Sequence, residues 1–222
     1  MPHWESLGEG IGVFITPDYT FGADALQLAA FVPHGLHTVC EFGTGCGVIA
    51  LQLCLAAQAA GQRMPQITAL DIQPDAVALA AASVAESGLQ EQIALLTANW
   101  RTAPLAPNSF DAVVCNPPYF PPATGGVSEN AARRIARHED SPAALQELCA
   151  SAARVLRHGG RCFLWHRPER LCDLVAALRT AKLEPKRLRL VQHDTNSSPY
   201  LLLCEARKGG KAGLVFEPVL MG

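Results

Sequence analysis

Apolar positions along the chain fall into short buried runs separated by longer apolar stretches of helical length. His37 to Phe42 is predicted as a first core strand, and Val48 to Leu55 as the strongly apolar helix behind it. Gln66 to Asp71 reads as a second strand. Pro74 suits the first position of an alanine-rich helix over 75–87 that ends near Gly88. Ile93 to Leu96, Phe110 to Val114 and Arg161 to His166 read as strands three, four and five. Further helices are expected over Asp24 to Phe31, over 168–181, and from a Ser141-Pro142 cap through Leu156, the last closed by Gly159-Gly160. Leu188 to Val191 and Tyr200 to Ala206 form a last strand pair without a clear helix between them. Residues 1–20 read as a glycine-rich loop with a short strand, residues 120–140 as a long loop, and 213–222 as a partly ordered tail. Five strand–helix units followed by a strand pair predict an α/β fold. Its sheet has seven strands, mostly parallel, with an antiparallel last strand, in a single domain over 1–222. Residues 1–36 are an N-terminal extension whose helix packs over the ligand edge of that sheet.

With 222 residues and an apolar fraction of 49%, the chain can bury a sizeable core and is not disordered. Its start lacks the basic residues and apolar run of a signal peptide, and no apolar run suits a membrane span. The eight cysteines include no CxxC pair. They are expected as buried, reduced thiols of a cytoplasmic protein, with no metal site. The net charge of −2 hides an asymmetry. Residues 1–132 carry two arginines against eleven acids (2 − 11 = −9), and residues 133–222 carry sixteen Lys and Arg against nine acids (16 − 9 = +7). The basic half fits an anionic partner such as RNA, or equally a set of solvated helix faces.

The chemistry gathers at Asn116-Pro117-Pro118-Tyr119-Phe120, directly after strand four. Two prolines cannot continue a strand, so the chain must turn at the sheet edge where open α/β folds bind ligands. The Asn116 side-chain oxygen and the Pro117 carbonyl form an acceptor-rich lip, and Tyr119 adds a flat face. This arrangement suits a planar amine, although a proline turn capped by its Asn would carry the same residues. The motif resembles the Asn-Pro-Pro-Tyr of amino-group methyltransferases, which include adenine-N6 methylases of nucleic acid and glutamine-N5 methylases of release factors.

Gly43-Thr44-Gly45-Cys46-Gly47 stands between the first strand and its helix, where α/β folds cradle adenosine-containing cofactors. Its G-x-G-x-G spacing differs from the G-x-G-x-x-G of nicotinamide dehydrogenases. Glu41 ahead of the turn suits S-adenosylmethionine, whose ammonium a carboxylate can anchor through water. Asp71 at the end of strand two is placed to accept ribose hydroxyls, or alternatively to cap the next helix. Ile72 is expected to pack on adenine, and Asn99 to accept the adenine amine where many methyltransferases carry an acid.

The loop ending Ala136-Arg137-His138-Glu139, some twenty residues after the Asn-Pro-Pro-Tyr, closely resembles the tRNA adenine-N6 methyltransferases that modify valine tRNA beside the anticodon. Asp18-Tyr19-Thr20-Phe21-Gly22-Ala23-Asp24-Ala25-Leu26 approximates a second segment of that family, and the similarity spans roughly residues 15–206. The resemblance implies a Rossmann-like class I fold and S-adenosylmethionine as cofactor. It also implies tRNA as substrate, methylated on adenine N6 at position 37. Asn116, Pro117 and Tyr119 would hold the target base, and Arg133, Arg134, Arg137 and His138 would contact RNA. The alternatives are a glutamine-N5 methyltransferase of a release factor, which has no use for the arginine-rich loop, and a non-catalytic S-adenosylmethionine-binding RNA chaperone, which would not need the amine lip.

Overall fold

A computed structural model describes residues 1–117 and 143–222. Its main sheet follows the order β5-β4-β3-β6-β7-β9-β8. The strands are β3 Thr38–Phe42, β4 Gln66–Asp71, β5 Ile93–Thr97, β6 Phe110–Cys115, β7 Leu156–His166, β8 Leu183–Gln192 and β9 Leu201–Lys208. The first five pair in parallel, and β9 runs antiparallel to both β7 and β8. The expected seven strands with a reversed last strand are therefore present. Two short strands, β10 Val215–Phe216 and β11 Leu220–Met221, extend the sheet by pairing in parallel with β8.

Both faces of the sheet are covered, which is why its central strands are continuous apolar runs rather than alternating ones. β6 is buried at every position. On one face lie α1 Ala23–Phe31, α2 Val48–Ala59 and α3 Pro74–Glu86, packed on Val39, Val114, Phe163 and Trp165. On the other lie α4 Ala144–Val155 and α5 Leu171–Thr180, packed on Phe42, Val113 and Leu164. Seven of the eight cysteines are buried and all are free thiols. No helix among the described residues is long and apolar enough to cross a membrane.

Four stretches differ from the expectation. Residues 3–15 form a hairpin, β1 His3–Gly8 and β2 Ile11–Ile15, rather than a loop with one strand. The two residues between the strands, Glu9 and Gly10, both have positive φ, the geometry of a tight hairpin turn. Ser83 of α3 and Ser87 at its C-cap satisfy the free edge of β2: Phe14 N–H donates to Ser83 Oγ at 2.9 Å, and Gly12 N–H to Ser87 Oγ at 3.2 Å. Gly159-Gly160 does not close the preceding helix, which ends at Val155; it forms a bulge inside β7. There Leu156 pairs with Phe110 and Arg161 with Ala112, so the extra residues loop out, and Gly159 takes φ +78°. The predicted helix over 168–181 begins as a 3-10 turn, Pro168–Arg170. β8 starts five residues earlier than expected because Pro185 is accommodated at a second bulge.

Candidate active site

The carboxyl ends of β3, β4, β5 and β6 bring those predicted residues that lie among the described ones to one edge of the sheet. β3 delivers Glu41 and then the glycine turn. Gly43, Gly45 and Gly47 all take the left-handed conformation, with φ of 73°, 54° and 89°. They do different work. At Gly43 and Gly45 nothing among the described residues lies within 4 Å of where a Cβ would sit, which leaves that part of the turn open to a ligand. At Gly47 the corresponding position is 3.1 Å from Ala80 Cβ, so this glycine lets α2 and α3 pack closely. The Gly43 and Thr44 N–H groups donate to Leu70 O at 2.8 and 3.0 Å, which ties the turn to β4.

Glu41 is 1% exposed. Its Oε2 accepts from Thr44 Oγ1 at 2.9 Å, while Oε1 is buried without a hydrogen-bond partner among the described residues. Burial pushes its carboxyl up to about 8; the Thr44 hydroxyl and a backbone N–H oppose that rise, and nearby Asp71 adds to it. Asp71 ends β4 with Oδ2 accepting from Gly45 N–H and Oδ1 from Gln73 N–H, both at 2.9 Å. It thus braces the glycine turn and the approach to α3 without being that helix's N-cap, which is Gln73, and each oxygen keeps a second lone pair for a ligand hydroxyl. Burial also raises the Asp71 carboxyl, and the backbone N–H groups of Gln73, Gly45 and Ile72 pull it back. Beside it Ile72 is 52% exposed, an apolar side chain half open at this edge. Asn99 spends one acceptor locally, taking Arg101 N–H at 2.9 Å to start a turn. The next residue, Trp100, stacks on Phe42 with ring centres 6.1 Å apart.

Glu41 with its orphaned oxygen and the open left-handed glycines fit the charged and backbone-hugging parts of S-adenosylmethionine. Asp71 and Ile72 fit its ribose and adenine.

Half-buried Asn116 follows β6 at the same edge, and Pro117 beside it is buried. The Asn116 amide is held at both ends. Its Nδ2–H donates to Asp24 Oδ2 at 3.2 Å, and its Oδ1 accepts from Trp165 Nε1–H. Neither partner was predicted as a site residue. Asp24 lay inside the family-like segment without a role, and the only sequence hint for Trp165 is that a buried indole needs an acceptor. Tyr19, also without a predicted role, donates its hydroxyl to Gln73 Oε1 at 3.3 Å, next to Asp71 and Ile72. His166 at the end of β7 is buried. Its Nδ1 accepts from Arg167 N–H, its Nε2 has no hydrogen-bond partner among the described residues, and burial, with Arg170 adding to the effect, lowers its pKa to about 4. The predicted Tyr119, Arg133, Arg134, Arg137 and His138, the loop over 120–140 and the Ser141-Pro142 cap lie outside the described residues.

The strand order with its reversed β9, the glycine turn after β3 and the acid closing β4 define an S-adenosylmethionine-dependent methyltransferase. Residues 9–173 match the methyltransferase small domain, and the chain belongs to that family. It is 34% identical over 185 residues to a tRNA1(Val) (adenine(37)-N6)-methyltransferase of Tolumonas auensis, covering 82% of this chain and 73% of that relative. It is 37% identical over 133 residues to a release factor glutamine methyltransferase of Gloeobacter violaceus, covering 55% of this chain but only 43% of that relative. Among solved structures, a predicted O-methyltransferase of Agrobacterium tumefaciens superposes with a TM-score of 0.67 at 19% identity, over 89% of this chain and 86% of that one. That likeness concerns the fold. The expected resemblance to the tRNA adenine-N6 methyltransferases is present, and so is similarity to the release-factor branch.

Proposed function

We propose that this protein methylates the exocyclic N6 amine of an adenine in tRNA, at position 37 beside the anticodon. The observation that carries the reading is the Asn116 amide oxygen at the carboxyl end of β6, followed by the Pro117 carbonyl, at the same sheet edge as the open glycine turn. The similarity to the Tolumonas auensis tRNA methyltransferase across most of both chains supports the choice of substrate.

When bound, S-adenosylmethionine supplies an electrophilic methyl group on a sulfonium. Glu41 would anchor the ammonium through water. Asp71 would accept hydrogen bonds from the ribose hydroxyls, Ile72 would pack on the adenine, and Asn99 would accept from its amine. The turn backbone at Gly43 and Gly45 would lie against the ligand, and Gly47 sets the packing of α2 on α3 that holds the turn in place. The target amine is a poor nucleophile because its lone pair is delocalised into the ring. Asn116 Oδ1 and the Pro117 carbonyl accept its two hydrogens, which favours a tetrahedral nitrogen with its lone pair aimed at the methyl donor. The rate gain comes from positioning and preorganised acceptors, without a covalent intermediate on the protein. Tyr119 stacks on the extruded base, and Arg133, Arg134, Arg137 and His138 hold backbone phosphates. This work is assigned to the cytoplasm.

The same lip would serve a glutamine side chain, and the Gloeobacter violaceus relative keeps that second reading in view. Methyl transfer from labelled S-adenosylmethionine into tRNA and, in parallel, into a release factor separates the two. N6-methyladenosine in the RNA supports the proposal; label only in the protein supports the alternative.

A further inference from the structure

We propose that Asp24 and Trp165 are positioning residues that lock the Asn116 amide with its oxygen toward the reacting amine. The inference rests on the proposed amine-methylating role of Asn116. An Asn side chain can usually be turned over at little cost, exchanging its oxygen and NH2. Here the partners decide. An indole N–H can only donate, and an ionised carboxylate can only accept. Trp165 Nε1–H therefore demands the oxygen, and Asp24 Oδ2 demands the NH2 group. Reversing the amide would set N–H against N–H and oxygen against carboxylate. Trp165 takes one lone pair of Oδ1 and leaves the second for the substrate amine. The Asp24 bond draws charge through the amide and makes that oxygen a stronger acceptor, since chains of hydrogen bonds polarise one another.

The two partners are themselves fixed. Trp165 is 4% exposed in β7, on the same sheet face as Val114 and α1. Asp24 sits in the first turn of α1, and α1 is tied down at its other end by Arg187, which donates to Phe31 O at 2.9 Å. Gly22 adds an independent mark of the arrangement. A Cβ there would meet Asp24 Oδ1 at 2.4 Å, so the carboxylate folds back over the missing side chain. Gly22 has φ −115°, which any residue can adopt. Its smallness thus serves the carboxylate, not the backbone.

The test uses the full chain with tRNA from a strain lacking this protein, a release factor as the second acceptor, and labelled S-adenosylmethionine. Asp24→Ala and Trp165→Phe are expected to lower kcat about 10- to 100-fold, the effect of losing a charged or orienting hydrogen bond, with cofactor Kd within about twofold of the wild type. Gly22→Ala, which displaces the carboxylate without touching it chemically, should mimic Asp24→Ala, and Asp24→Asn should recover part of the loss. On an Asn116→Ala background Asp24→Ala should cost nothing further, a result that a general folding role of α1 would not produce. Additive losses, or kcat kept within about twofold in Asp24→Ala and Trp165→Phe while Asn116→Ala is inactive, would overturn the clamp. Full turnover in Asn116→Ala would instead sink the proposed reading of the amine lip. A readout without turnover is the Trp165 indole N–H resonance, one of three indole signals from Trp4, Trp100 and Trp165. It should move upfield in Asn116→Ala and in Asp24→Ala; an unmoved signal in both contradicts the clamp whatever the activity.

Discussion

Replacing Glu41 by glutamine is expected to stabilise the free protein above neutral pH while weakening its hold on S-adenosylmethionine. The carboxyl is buried, with one oxygen on Thr44 and the other unpartnered, and its pKa rises from 4.5 to about 8. The folded value lies above the unfolded one, so between these limits the native state binds a proton that the unfolded state has released. Stability therefore falls as pH rises from about 5 to about 8 and levels off beyond. At about 1.36 kcal/mol per unit, the full loss is on the order of 5 kcal/mol above pH 8, and roughly 3 kcal/mol at pH 7. The substituted amide carries no such charge. The difference in unfolding free energy between Glu41→Gln and wild type should therefore grow by several kcal/mol from about pH 5 to about pH 8.5 in urea denaturation. Cofactor binding needs the carboxylate, so wild-type Kd should tighten up to about tenfold per pH unit below 8, with proton release visible by calorimetry in buffers of different ionisation heat. The variant should bind weakly and without pH dependence. A stability difference that stays flat across this pH range would refute the buried, protonated Glu41.

Gly45→Ala would put a Cβ on a residue at φ +54° and into the open cradle, so it should cost about 1–2 kcal/mol of stability and most cofactor affinity, measured by urea denaturation and calorimetry. Ser83→Ala removes the acceptor of Phe14 N–H on the free edge of β2 and should cost about 1 kcal/mol in the same denaturation assay, with turnover retained. Replacing Arg133 and Arg134 together by Ala should weaken tRNA binding and reduce the slope of log affinity against log salt by nearly two; an unchanged slope would remove these arginines from the RNA-binding role.

The core of the fold was legible because its strands are apolar runs bounded by residues with clear local chemistry. β4 emerges at its predicted residues, closed by Asp71 and followed by Pro74 at the first turn of α3. The glycine turn was legible for the same reason, although only geometry separates the open Gly43 and Gly45 from the packing Gly47. The β1–β2 hairpin was not, because its tight turn places Glu9, rather than Asn, Asp or Gly, at φ +50°. Pro185 obscured the start of β8, since a proline argues against a strand unless a bulge accommodates it. The partners of Asn116 are 92 residues upstream and 49 downstream, on a helix and a strand that meet only in the folded sheet. No local pattern announces such a contact.

The most direct test of the central claim is incubation of the protein with labelled S-adenosylmethionine and total tRNA from a strain lacking it, followed by nucleoside mass spectrometry. A gain of N6-methyladenosine, mapped to position 37 and lost in Asn116→Ala, is the predicted result. Absence of label in tRNA, with label entering a release factor instead, would contradict it.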